Sequence, residues 1–115
     1  MAEFSQAGYQ KIRDYIEANW KYIELQDETG TAIIRLGIGD SRVTWTHTAD
    51  SNPLKLQIKI KGSDVSLPKT FAISAIFDVA SGGSPLAVSN FEATTLSQAI
   101  DELTVEHSLE VPDIV

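Results

Sequence analysis

Residues 54–61 read Leu-Lys-Leu-Gln-Ile-Lys-Ile-Lys. Leu54, Leu56, Ile58 and Ile60 fall on one side of an extended chain, and Lys55, Gln57, Lys59 and Lys61 on the other. Side chains alternate across a strand, so this period of two specifies a β-strand with one dry face and one wet face. A strand with a single apolar face must bury it against a second layer. The neighbouring segments supply partners of the same kind. Upstream, Val43, Trp45 and His47 alternate with Thr44, Thr46 and Thr48, and Asp50-Ser51-Asn52-Pro53 forms a turn between the two runs. At the far end, Leu103, Val105, His107, Leu109 and Val111 alternate with Thr104, Glu106, Ser108 and Glu110.

Between these, residues 71–79 (Phe-Ala-Ile-Ser-Ala-Ile-Phe-Asp-Val) are apolar on nearly both faces, the pattern of a central strand. Ser81-Gly82-Gly83-Ser84-Pro85 turns the chain into a further strand over 86–91. Nearer the start, residues 21–26 alternate, Asp27-Glu28-Thr29-Gly30 is a turn signal, and Ala32, Ile34, Leu36 and Ile38 share a face. This pair predicts a hairpin. Residues 94–102 combine helical spacing (Leu96, Ala99, Ile100, Leu103) with a short window, and are expected as an irregular crossing with at most one helical turn.

The first twenty residues differ. Phe4, Gly8, Ile12, Ile16 and Trp20 recur every four residues, with Lys11, Arg13, Asp14 and Glu17 expected to face away and Ser5 placed to cap. The expectation is therefore a mainly β protein. It comprises one domain over 1–115, with an N-terminal α-helix within 1–20, an antiparallel β-sandwich of about seven strands over 21–111, and a tail at 112–115.

Composition narrows the functions. The chain has 115 residues and no cysteine, which removes disulfide frameworks, thiol catalysis and Cys-type metal sites. Net charge is −7. All nine Lys and Arg precede residue 70, balanced there by nine acids, so the imbalance sits in the seven acids of residues 70–115. A nucleic-acid partner requires a concentrated basic face, and an anionic membrane disfavours the same charge balance. Neither partner is expected. No apolar run reaches the 18 or so residues of a membrane span, and the first residues lack the pattern of a secretory signal.

Catalytic motifs are missing from the sequence. The adjacent acid pairs Asp27-Glu28 and Asp101-Glu102 point opposite ways on an extended chain and read as solvated turn residues. Neither they nor Asp50-Ser51-Asn52 matches a calcium loop. The two histidines have no zinc spacing. His107 reads as a hydrogen-bonded core residue and His47 as a surface ring near Trp45. No G-x-S-x-G elbow or P-loop occurs, and Gly37-Ile38-Gly39 is not continued into a dinucleotide fingerprint, because Arg42 stands where the third glycine belongs. The expectation is no enzyme, no cofactor and no metal.

Three readings attach to Lys55, Lys59 and Lys61. They form a solvated face, or mark an edge strand where lysines discourage unwanted pairing, or meet an acidic surface such as Glu106 and Glu110 of another copy. A second class of function, a carbohydrate- or receptor-binding module, would use exposed aromatics, with Trp45 and either Tyr22 or Tyr9 as the platform for a host surface glycan.

Several segments in order resemble the small β-rich domains of bacteriophage tail proteins of the fibre- and baseplate-associated kind. They are Gln6-Ala7-Gly8-Tyr9-Gln10-Lys11-Ile12, then Tyr22-Ile23-Glu24-Leu25, then Ile73 to Gly83 with its Phe77-Asp78 and small-residue turn, then Leu86-Ala87-Val88 with Phe91, and finally Leu103-Thr104-Val105. The chain departs from that pattern at Ala72 to Ala75, which carry no acidic residue or glycine, and at Leu36 to Asp40, where the loop is short. The resemblance implies a virion structural protein, assembled in the host cytoplasm with copies of itself and other virion proteins. It brings no catalytic residue.

Overall fold

The computed structural model describes residues 4–48 and 53–110. The turn at 50–52 and the tail at 112–115 lie outside them, as does Val111. Among the described residues one α-helix, α1 (Gln6–Asn19), precedes seven strands: β1 (Tyr22–Gln26), β2 (Ala32–Gly37), β3 (Val43–Trp45), β4 (Leu54–Lys61), β5 (Lys69–Phe77), β6 (Ala87–Leu96) and β7 (Glu102–Leu109), with a single 3-10 turn at Gly62–Asp64. They form a four-stranded sheet in the order β2-β1-β5-β6 and a three-stranded sheet in the order β3-β4-β7, with antiparallel neighbours throughout. Between the sheets lie Ile23, Leu25, Leu56, Ile58, Ile60, Phe71 and Ile76, all almost wholly buried. Two apolar faces back to back make the sandwich that the alternation in 54–61 requires. Among the described residues no helix is long and apolar enough to cross a membrane.

The β1–β2 hairpin closes as expected. Gly30 has φ +83°, a conformation that side chains rarely adopt. The Asp27 carboxylate accepts from the N–H groups of Thr29 and Thr31 and from the Thr29 hydroxyl. These bonds, the hydroxyl first, hold its pKa below the usual value.

β5 explains its own two-sided apolarity. Phe71 and Ile76 both enter the core although they are five residues apart, an odd spacing that should put them on opposite faces. The β5–β6 register shifts between Phe71 and Ile73: Phe71 stands opposite Thr94 but Ile73 opposite Asn90. The pairing breaks at Ala72, with residues 91–93 of β6 in surplus, and Phe71 and Ile76 face inward on either side of this break.

Four expectations are corrected. β4 is the middle strand of its sheet, so its lysines do not mark an edge. The buried helical residues are Tyr9, Arg13 and Ile16, while Phe4 is exposed. The buried stripe is thus rotated by one position, and Arg13 faces in with its guanidinium on Gln10. Ser5 does cap, accepting from the Gly8 N–H at 3.1 Å. Residues 94–96 belong to β6, which runs past 91, and 97–101 form a turn without a helix. The Asp101 carboxylate accepts from the N–H groups of Ser97 and Gln98 at 2.9 Å, which also lowers its pKa. Finally, His47 is enclosed rather than superficial. Its ring meets Trp45 edge-on at 5.3 Å, Nδ1 accepts from the Lys55 N–H, and Nε2 bonds Glu17 of α1. An Nδ1 that accepts leaves the proton of a neutral ring on Nε2, the atom facing the carboxylate. This contact ties the helix to the three-stranded sheet.

Candidate functional site

Backbone bonding sets which side chains of the three-stranded sheet face outward. The Thr46 N–H donates to the Lys55 carbonyl, and the Lys59 N–H to the Arg42 carbonyl. The odd positions of β4 therefore bond towards β3. Its even positions bond towards β7 at the pairs Leu56–His107, Ile58–Val105 and Ile60–Leu103. Since the even side chains are in the core, Lys55, Lys59 and Lys61 lie on the outer face. There they stand opposite Ser108, Thr104 and Glu102, with Gln57 opposite Glu106.

The structure thus brings the predicted basic and acidic residues together on one face of one chain, as two parallel stripes. Lys55, Lys59 and Lys61 run along β4, while Glu102, Glu106 and Glu110 run along β7 and just past its end. Glu106 leans across β4 and accepts from the Thr46 hydroxyl at 2.8 Å. Among the described residues no ion pair within 4 Å joins these lysines to these glutamates, so both stripes keep charge to offer.

Other charged groups are already engaged. At one end of the face a cleft of about 400 Å³ is lined by Arg42, Lys59, Lys61, Asp64 and Glu102. Arg42 grips Asp40 through two nitrogens at 2.9 and 2.8 Å and reaches Asp64 at 3.2 Å. The Arg42 side chain holds the Asp40 pKa down at about 2. With two carboxylates on it, this guanidinium is not free for an anionic ligand. On the other sheet, Arg35 bonds Glu24 at 3.0 Å, lies 3.5 Å over the Phe77 ring, and donates to the carbonyls of Val79 and Gly82. It latches the 78–86 loop over that face. Glu24 also accepts from Gln26 at 2.7 Å.

Trp45 and Tyr22 do not share a platform. Trp45 is on β3, packed against the core beside His47. Tyr22 is on β1 of the opposite sheet, with its ring over Gly37, where even a Cβ would come within 2.6 Å of it.

The contact that sequence reasoning missed is Ser74 with His107. The hydroxyl and Nδ1 are 2.7 Å apart and bridge the two sheets. The spacing is that of a nucleophile and its base, but the residues are 1% and 2% exposed and the pair is closed to any substrate. The parity of 103–111 places His107 inside. Nothing local marks Ser74 as its partner 33 residues away. Burial lowers the His107 pKa below its usual 6.5. The folded state then binds fewer protons than the unfolded chain, so stability falls as pH drops from about 6.5 towards the folded value. Urea melts between pH 7 and 5 should show a decline of at most about 1.4 kcal/mol per pH unit. His107→Gln should flatten it, and an unchanged slope in that variant would assign the decline to another group.

Compared with protein-family models, curated proteins and solved structures, the chain matches none.

Proposed function

We propose that the chain is a non-enzymatic structural module that acts by self-assembly and protein–protein contact and, following the resemblance, a tail-associated virion component. The observation that carries the assembly reading is the pair of oppositely charged stripes on the outer face of β3-β4-β7. A two-fold axis parallel to the strands, between β4 and β7, lays the lysine stripe of one copy on the glutamate stripe of the other, and the reverse. Such a face is self-complementary, as a closed two-fold interface requires. Charge pairing of this kind aligns partners and speeds encounter more than it adds affinity, and it weakens with salt.

Light scattering behind size exclusion should give a multiple of 12.6 kDa that falls as salt rises. Reversing the stripe with Lys55→Glu, Lys59→Glu and Lys61→Glu should give a monomer. Adding Glu102→Lys, Glu106→Lys and Glu110→Lys to it should restore association. A mass near 12.6 kDa at every concentration and salt level, or an unchanged assembly in the first variant, would refute the reading. Detection of the chain in purified particles tests the virion assignment.

A further inference from the structure

The two sheets differ by one strand, and the difference leaves a step. The Ser74–His107 bond puts β7 opposite β5. The strand beyond β5 is β6, and among the described residues the three-stranded sheet has no strand beyond β7. β6 consequently overhangs. Ser89, which shares the inward side with Ser74 in the ladder, is exposed, as is most of β6. Beneath the overhang lies the outer edge of β7, which pairs with no other strand among the described residues. Because the residues at 103, 105 and 107 bond to β4, the backbone N–H and C=O groups of Thr104, Glu106 and Ser108 point outward along that edge. The β4–β7 register runs unbroken from Leu54–Leu109 to Lys61–Glu102, so no bulge interrupts the edge over eight residues. The other long edge, β6, is interrupted by its register shift.

We infer that the β7 edge takes an additional strand, supplied by another protein as an extended segment in which Lys or Arg alternates with apolar residues. The backbone groups of Thr104, Glu106 and Ser108 pair with that strand. Its apolar side chains enter the step and cover the inner side of β6. Its basic side chains fall on the outer face beside Glu102, Glu106 and Glu110, where opposite charges across neighbouring strands are favourable. The charge also selects against a second copy at this edge, since β7 against β7 would set these glutamates side by side. The paired backbone lies at the edge of the sheet rather than on the self-assembly face, but the two share Glu102, Glu106 and Glu110, so binding is read at the backbone amides of the edge and in the monomeric Lys55→Glu, Lys59→Glu, Lys61→Glu variant as well as in the parent.

The test uses the full chain, isotope-labelled, titrated with a free peptide of the sequence Leu-Lys-Leu-Gln-Ile-Lys-Ile-Lys. The expected result is saturable shifts and slowed exchange at the amides of Thr104, Glu106 and Ser108. The same peptide with glutamate for lysine should bind at least tenfold more weakly. Ser108→Pro removes an outward N–H without touching the β4 ladder, so it should keep the fold while weakening the peptide at least tenfold. Glu106→Lys offers a second variant, with the backbone intact and the charge reversed. The proposal is overturned if the peptide produces no saturable shifts, if shifts concentrate on β2 or β6, if the glutamate peptide binds equally well, if a folded Ser108→Pro or Glu106→Lys binds unchanged, or if the edge is found paired with a second copy.

Discussion

Phe71→Ala should lower the stability of the chain by about 3–5 kcal/mol, a large part of the 5–15 kcal/mol typical of a single domain. Phe71 is fully buried, belongs to the core cluster that includes Leu96 and the apolar side of β4, and sits at the break in the β5–β6 pairing. Removing it leaves a void in a core whose central strands, β5 and β4, are each held by a neighbour on both sides. Such a site collapses poorly, and the cost of a large-to-small change rises with the cavity that remains. Chemical denaturation should show a lower midpoint with an unchanged dependence on denaturant. Val88→Ala, at a residue 57% exposed, should stay within about 0.5 kcal/mol of the parent. A loss below about 1 kcal/mol for Phe71→Ala would mean that the ring is not seated as described.

The second large effect is at Gly62. A Cβ there would lie 2.0 Å from the Gln98 carbonyl oxygen and 2.8 Å from its carbon. Both atoms are backbone, so no rotamer change relieves the contact. The two segments are also bonded, with the Gly62 N–H on the Asp101 carbonyl at 2.8 Å and the Ser63 N–H on the Ala99 carbonyl at 3.2 Å. Gly62→Ala must push the 97–101 turn away and break these bonds. A cost of about 2–3 kcal/mol is expected, the upper part of the range for overpacking, with a melting point lower by roughly 10 °C. Gly39→Ala is the control, since an added Cβ meets nothing within 4 Å. Equal melting points for the two variants would remove the close approach as a constraint.

The alternation in 54–61 carried the architecture, because a strand with one apolar side can be satisfied only by a second layer. It could not say whether that strand was central. A middle strand with one solvated face and an edge strand both show Lys at every second position, and only the pairing with β3 and β7 separates them. The helix is recognisable from its period, but polarity alone puts Arg13 on the wet face, whereas its guanidinium turns inward with the Gln10 side-chain oxygen accepting from two of its nitrogens. The register shift in β5 had a trace in the sequence, namely apolar residues of both parities, which also suits a strand covered on both sides. Contacts across the sandwich left no trace. Glu17–His47 and Ser74–His107 join residues 30 and 33 positions apart, and only the folded topology makes them neighbours. The charged face was named residue by residue, yet its arrangement as adjacent stripes followed from the β4–β7 register.

The Ser74–His107 bond has one more consequence. Two greasy sheets pressed together attract without preferring a particular alignment, because apolar contact has no direction. A hydrogen bond does have one, and it tolerates little displacement before it is lost. A polar contact that joins the layers in an otherwise oily seam therefore works as a dowel. It forbids the layers from sliding along one another by a residue, since any slip would strand a hydroxyl and an imidazole in a medium that cannot solvate them. Even if it adds little to how tightly the layers hold, it sets the stagger at which they meet, and with it how far β6 projects past β7.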